Sequence, residues 1–148
     1  MEAKDSRGWT PLFVAALSSN ASMLELVLRK GAKYFHRDEH GWTCLKWAAV
    51  SNGHLSTVEI LIQHGADIEV RDQLDRTPLH LAALKNKIQI TEQLLHREAN
   101  VNAVDSQGWT PLHFACWEGH TEPALALIRA GASVVATTSS FTRAADHQ

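Results

Sequence analysis

The stretch Asp105-Ser106-Gln107-Gly108-Trp109-Thr110-Pro111-Leu112 decides the fold, because the chain contains it four times in related form. It returns as Asp5-Ser6-Arg7-Gly8-Trp9-Thr10-Pro11-Leu12, as Asp38-Glu39-His40-Gly41-Trp42-Thr43-Cys44-Leu45, and as Asp72-Gln73-Leu74-Asp75-Arg76-Thr77-Pro78-Leu79. The offsets are 33, 34 and 33 residues, a period that marks a repeat architecture. Each copy runs on into a small pair (Ala15-Ala16, Ala48-Ala49, Ala82-Ala83, Ala115-Cys116) and then an apolar-rich segment. That segment closes at Gly31-Ala32, Gly65-Ala66, Glu98-Ala99 and Gly131-Ala132.

The unit reads physically as helix, turn, helix, hairpin. Thr10, Thr43, Thr77 and Thr110 stand where an N-cap belongs, and Pro follows in three copies, where its missing N–H costs nothing. A helix of about two turns starts there, carrying Leu12, Val14 and Ala15 or Leu79, Leu81 and Ala82, with alanines small enough for tight packing. The second helix shows apolar residues at three-four spacing, such as Leu24, Val27 and Leu28 or Val58, Leu61 and Ile62. Gly31, Gly65 and Gly131 supply a left-handed stop. The extended stretch Asp67-Ile68-Glu69-Val70-Arg71-Asp72 then leads into a tight turn.

These residues resemble the ankyrin repeat, with its 33-residue period and Thr-Pro-Leu-His-x-Ala signature. Thr77-Pro78-Leu79-His80-Leu81-Ala82 and Thr110-Pro111-Leu112-His113-Phe114-Ala115 match fully, Thr10 to Ala15 lacks the His, and Thr43 to Ala48 lacks both Pro and His. The resemblance implies an all-α repeat solenoid of helix-turn-helix units joined by β-hairpin-like loops, in one domain over 1–148. The repeats are 5–37, 38–71, 72–104 and 105–137, and 138–148 is a degraded start of a fifth or a tail. Repeat two holds an extra residue, assigned to Asn52. In repeat three Asp75 and Glu98 replace glycines, each at about 1 kcal/mol if the backbone stays left-handed. Pro123 falls in the first turn of its helix and is tolerated. Neither end shows the polar face of a capping unit, which reads as a segment of a longer array, with a small natural protein with modest ends as the rival.

Composition narrows the function. The 148 residues are 45% apolar, with 14 Lys plus Arg against 16 Asp plus Glu and a net charge of -2. That balance offers no basic footprint for nucleic acid. No apolar run approaches the length of a membrane span, and the start lacks a signal peptide's apolar core. Cys44 and Cys116 make no disulfide framework and occupy small-residue positions expected to be core, so an intracellular location, cytoplasmic or nuclear, is expected. Charge is uneven: repeat one nets about +3 through Arg7, Arg29, Lys30, Lys33 and Arg37 against Asp5 and Glu25, and repeat two about -3, readable as a solvated face.

Nine histidines invite a metal or catalytic reading. However, His80 and His113 belong to the signature, where the family's ring bonds to neighbouring backbone, and His54 and His120 follow the glycine that opens the second helix. No phosphate loop, zinc helix or nucleophile elbow occurs. No catalytic, cofactor-binding or metal residue is assigned, and no cofactor is expected.

The tryptophans carry the sharper signal. Trp9, Trp42 and Trp109 share one position, with Arg76 holding it in repeat three, and equivalent positions of a stack form a ladder. The resemblance places that ladder on the concave hairpin and inner-helix side, exposed, with Arg76 expected to stack between the indoles of Trp42 and Trp109. A second row is Leu17, Val50, Leu84 and Trp117 with Ser18, Ser51, Lys85 and Glu118 beside it. A third lies on the hairpins: Ser6 and Arg7, Glu39 and His40, Gln73 and Leu74, Ser106 and Gln107. Trp47 reads as core. Exposed Trp and Arg anchor interfaces by burying area while keeping a polar handle. The bland alternative has these indoles covering the neighbouring hairpin.

The expected function is protein binding through Trp117, Trp109, Arg76, Trp42, Trp9, Leu84, Lys85, Glu118, Leu74 and His40. A second class makes the chain a regulatory or sensor segment of a larger enzyme, receptor or channel, contacting its own parent chain. A third, an engineered binder, is disfavoured because the copies differ at Cys44, Lys46, Asp75, Glu98 and the insertion. Finally, Leu94-Leu95 followed by Ala99-Asn100-Val101-Asn102 resembles the context in which the ankyrin-directed asparaginyl hydroxylase modifies a hairpin Asn, with Asn102 as acceptor. The alternative is an Asn chosen for turn hydrogen bonds.

Overall fold

The computed structural model describes residues 8–18, 20–50 and 55–138. Among the described residues, eight α-helices fall into four pairs: α1 (Pro11–Leu17) with α2 (Ala21–Arg29), α3 (Cys44–Val50) with α4 (Leu55–Gln63), α5 (Pro78–Leu84) with α6 (Ile88–His96), and α7 (Pro111–Glu118) with α8 (Thr121–Arg129). First helices pack on first helices and second on second, α1 to α3 to α5 to α7 and α2 to α4 to α6 to α8. The core runs through the whole stack between these layers, through Leu12, Leu24, Leu45, Leu61, Leu79, Leu94, Leu112 and Leu127. Ala16, Ala49 and Ala83 are fully buried, as close helix approach requires.

The signature residues explain the helix starts. Thr77 accepts from His80 N at 3.4 Å while His80 Nδ1 accepts from Thr77 N at 3.0 Å, and Thr110 and His113 repeat this reciprocal box. Thr10 and Thr43, followed by Phe13 and Lys46 at the His position, keep the helix start but leave buried hydroxyls without a partner. Pro123 is buried in the first turn of α8 and does not break it.

The expected hairpins are turns, and no strand occurs among the described residues. The aspartate is the reason. Asp38 N donates to Trp42 O at 2.9 Å, and Asp38 Oδ1 accepts from His40 N and Trp42 N, both at 2.9 Å. Asp72 and Asp105 close their turns in the same way. Adjacent turns are tied largely by side chains. Arg37 Nη1 donates to Gly41 O and to Arg71 O, and Arg71 Nη1 donates to Asp75 O and to Val104 O, so two register-equivalent arginines each staple their own turn to the next.

Repeat three holds three left-handed residues without a glycine: Asp75 at φ 64°, Asn86 at 59° and Glu98 at 65°. Repeat four places Gly108, Gly119 and Gly131 at those positions. Asn and Asp tolerate this region better than Glu, and Asp75 and Glu98 gain only surface contacts there. Asp75→Gly and Glu98→Gly are each expected to raise unfolding free energy by about 1 kcal/mol, read from urea midpoints. Midpoints that fall in both variants would contradict this. The insertion assigned to Asn52, His54, and the tail 139–148 lie outside the described residues.

Candidate protein-binding face

The turn tips and first helices together form the candidate face. Glu39, His40, Gln73, Leu74, Ser106 and Gln107 are exposed on the turns, and Lys85, Trp117 and Glu118 on the helix row, where Leu17, Val50 and Leu84 are half-buried. Trp117 is 65% exposed. A concavity of about 260 Å³ opens among His40, Trp42, Trp47, Asp72, Gln73, Leu74 and Arg76.

The ladder beneath is less exposed than its position predicts. Trp9, Trp42 and Trp109 are half-buried, because each indole finds an aromatic or acidic neighbour. Trp47, expected to be core, is half-buried and packs against the core's edge: its ring lies 4.7 Å from Trp42 and 5.6 Å from Trp9, and its Nε1 donates to Asp38 Oδ2 at 2.6 Å. Trp9 Nε1 reaches the same oxygen at 3.4 Å. Asp38 thus closes its turn with one oxygen and gathers two indoles with the other. In repeat three the equivalent oxygen of Asp72 accepts from Arg76 Nε at 2.9 Å. The Arg76 guanidinium is therefore held by a carboxylate instead of being sandwiched between Trp42 and Trp109. Burial raises the Asp72 carboxyl, but the Arg76 N–H and the charges of Lys46 and Arg76 outweigh it and hold it below the usual range. At the last pair Trp109 meets Phe114 at 5.0 Å and Trp117 at 6.0 Å.

The family model for ankyrin repeats in three copies matches residues 1–72 and 49–138. The chain belongs to the ankyrin repeat family. Among its relatives is the Saccharomyces cerevisiae protein named "Probable 26S proteasome regulatory subunit p28", 32% identical over 128 residues, covering 84% of this chain and 55% of that protein. The human ankyrin repeat and SOCS box protein 3 is 32% identical over 136 residues, covering 90% of this chain and 26% of that protein. The human SH3 and multiple ankyrin repeat domains protein 2 is 35% identical over 98 residues, 66% of this chain and 5% of that protein. The chain therefore spans about half or less of the length of these relatives. No helix among the described residues is long and apolar enough to cross a membrane.

The ankyrin histidines bond as the family resemblance implied: His80 Nε2 lies 2.8 Å from Trp109 O and His113 Nε2 lies 3.1 Å from Ala136 O. Burial pushes the His80 imidazolium below its ordinary pKa, which keeps the ring neutral for this role. Sequence reasoning missed the corresponding residue of repeat two. Lys46, fully buried, reaches across and donates from Nζ to Arg76 O, the register equivalent of the carbonyl that His80 contacts. Burial, opposed by Asp72 and assisted by Arg37, Arg76 and Arg71, pushes its pKa down to about 7. The signal was in the sequence, a lysine on the signature's histidine position, but only the packing shows that it is enclosed.

The two cysteines part company. Cys44 is buried and its thiol is pushed up to about 12, whereas Cys116 is exposed, correcting the core assignment. Its register mates Ala16, Ala49 and Ala83 are each covered by the following helix pair. Val14, expected to pack, is exposed, whereas its register mate Leu81 is buried. Asn102 is exposed and its Oδ1 accepts from Ser133 N at 2.9 Å, so the side chain ties two successive turns together. Glu69 does the same one repeat earlier, accepting from Asn100 N at 2.8 Å.

Proposed function

We propose that this chain is a protein-binding module, working without catalysis and inside the cell, and that its partner lies across the turn tips and first helices of four repeats bounded as 5–37, 38–71, 72–104 and 105–137. The observation that carries this reading is one face on which exposed Trp117 and Leu74 stand among exposed His40, Lys85 and Glu118, over a firm floor of half-buried Trp9, Trp42, Trp109 and Arg76. Large side chains presented on a preorganised surface lose little entropy on binding. The yeast relative is named as a regulatory subunit of the proteasome, which supports an intracellular assembly role. The second reading, a regulatory or sensor segment that contacts its own parent chain, is favoured by the chain covering 55% and 26% of the length of two relatives.

The test pairs capture with unfolding. Crosslinking the chain to cell extract, then repeating it with Leu74→Ala, Arg76→Ala, Lys85→Ala and Trp117→Ala combined, is expected to lower specific capture at least tenfold, the effect of losing two or more anchors. The unfolding free energy of Trp117→Ala, read from its urea midpoint, should fall by less than about 1 kcal/mol. Equal capture by both proteins, or a loss matched by unfolding, removes the assignment of this face.

A further inference from the structure

The aromatic ladder breaks between repeats two and three, inside the stack. Ring contacts run from Trp9 to Trp47 to Trp42 and resume where Phe114 meets Trp109 and His80, and among the described residues no ring of repeat three meets Trp42 or Trp47. Arg76 holds the ladder position in repeat three, with its Nε on Asp72 Oδ2 at 2.9 Å. The concavity of about 260 Å³ opens in this gap, walled by the Trp42 and Trp47 rings, tilted at 50°, and by the exposed side chain of Leu74.

The polar groups left unused in this concavity are donors. Both oxygens of Asp72 are committed, Oδ1 to Leu74 N and Arg76 N and Oδ2 to Arg76 Nε, and its side chain is 1% exposed. Trp47 Nε1 is committed to Asp38. The two Arg76 Nη groups and the Trp42 Nε1–H, by contrast, make no hydrogen bond among the described residues, and the Arg76 side chain is 20% exposed. Glu39 and Asp75, the exposed carboxylates of these two turns, lie beside His40 and Arg71 and do not line the concavity. Beneath it, Lys46 donates to the Arg76 carbonyl, so a second cation backs the first. Indole faces by themselves favour a cation, but the guanidinium already in place repels another. A carboxylate instead meets the free fork of Arg76, the geometry that guanidinium and carboxylate share best.

We propose that this concavity takes an acidic side chain of the protein partner, an Asp or Glu beside an aliphatic or aromatic residue, with the carboxylate on the Arg76 Nη groups and the apolar neighbour on Trp42, Trp47 and Leu74. The inference rests on the reading of this face as a binding surface and names the chemistry that the face accepts. A charged fork at the bottom of an apolar wall gives the partner both an orientation and an area to bury.

Selection of a short random-peptide display library on the 148-residue chain is the test. Enriched peptides should carry Asp or Glu beside Leu, Ile, Phe or Tyr. The affinity of the strongest, read by fluorescence anisotropy, should fall at least about tenfold when its acid is replaced by the corresponding amide. Arg76→Gln should cost a similar factor and add nothing when the amide peptide is used, because both changes remove one contact. Leu74→Glu, made on an exposed side chain and checked for folding by its urea midpoint, should weaken the acidic peptide at least about tenfold by placing a like charge at the rim. Enriched peptides that are basic or show no preference for acids overturn the proposal, as does an acidic peptide indifferent to Leu74→Glu. Peptides whose binding depends on Trp117 and Lys85 but not on Arg76 also overturn it, while leaving the wider face as a binding surface. If no peptide is enriched, the pocket assignment falls, and capture from extract by the quadruple variant decides the wider face separately.

Discussion

Lys46→His is expected to raise the unfolding free energy at pH 7 by on the order of 3 kcal/mol and to abolish the pH dependence expected of the natural chain between pH 7 and 9. Two contributions add. The new imidazole completes a reciprocal box with Thr43, whose buried hydroxyl now has no partner, for about 1 kcal/mol. It also removes an amine whose burial opposes its charge. The pH dependence has a definite sign. The folded-state value of about 7 lies below the ordinary 10.5, so between these values the unfolded chain binds the extra proton and stability rises with pH. Between pH 7 and 9 the rise amounts to about 2 kcal/mol. Above pH 9 it is opposed by Cys44, whose thiol is held neutral to about 12 in the fold and whose contribution is lost as pH rises. Urea titrations at pH 7, 8 and 9 on both proteins decide the matter. Equal slopes in the two would show that Lys46 is not the titrating group.

Asp38→Ala is expected to cost about 3 kcal/mol, several times the effect of an ordinary surface substitution. The carboxylate is buried and accepts from His40 N, Trp42 N, Trp47 Nε1 and Trp9 Nε1, so its loss opens the turn and releases the indoles of two repeats together. Asp38→Asn separates the two roles. Its amide oxygen still serves the backbone N–H groups, while its NH₂ faces the indole donors, so about half the loss should remain. Tryptophan emission should shift to longer wavelength in both variants as Trp9 and Trp47 gain water. A normal spectrum with lowered stability would confine Asp38 to the turn. Opening this cluster also disturbs the floor beneath the candidate binding face, so partner capture should fall along with the spectrum.

The repeats themselves were fully legible in the chain. Thr at the N-cap, Pro at the first helical position and Gly at the left-handed stop act through the backbone of their own segment, and their recurrence every 33 or 34 residues fixed the helix pairs before any contact was known. Asp75 and Glu98 even keep the left-handed geometry that glycines hold at the equivalent positions of repeat four. The identities facing the next repeat were decided only by tertiary structure. Sequence position alone makes Trp47 a plain core residue, Arg76 a stacking cation and Cys116 a buried thiol. Each fate depends on how side chains meet in space: Asp38 draws in the Trp47 indole from nine residues away, Asp72 takes the Arg76 guanidinium from four, and Cys116 is exposed among the described residues where α7 covers its register mate Ala83. Lys46 shows the same division most sharply. Its sequence position marks it as a substitute for histidine, but its burial and its bond to Arg76 O exist only because repeat three closes over it. Local backbone chemistry is written within one copy, whereas burial in a stack belongs to the surface between two.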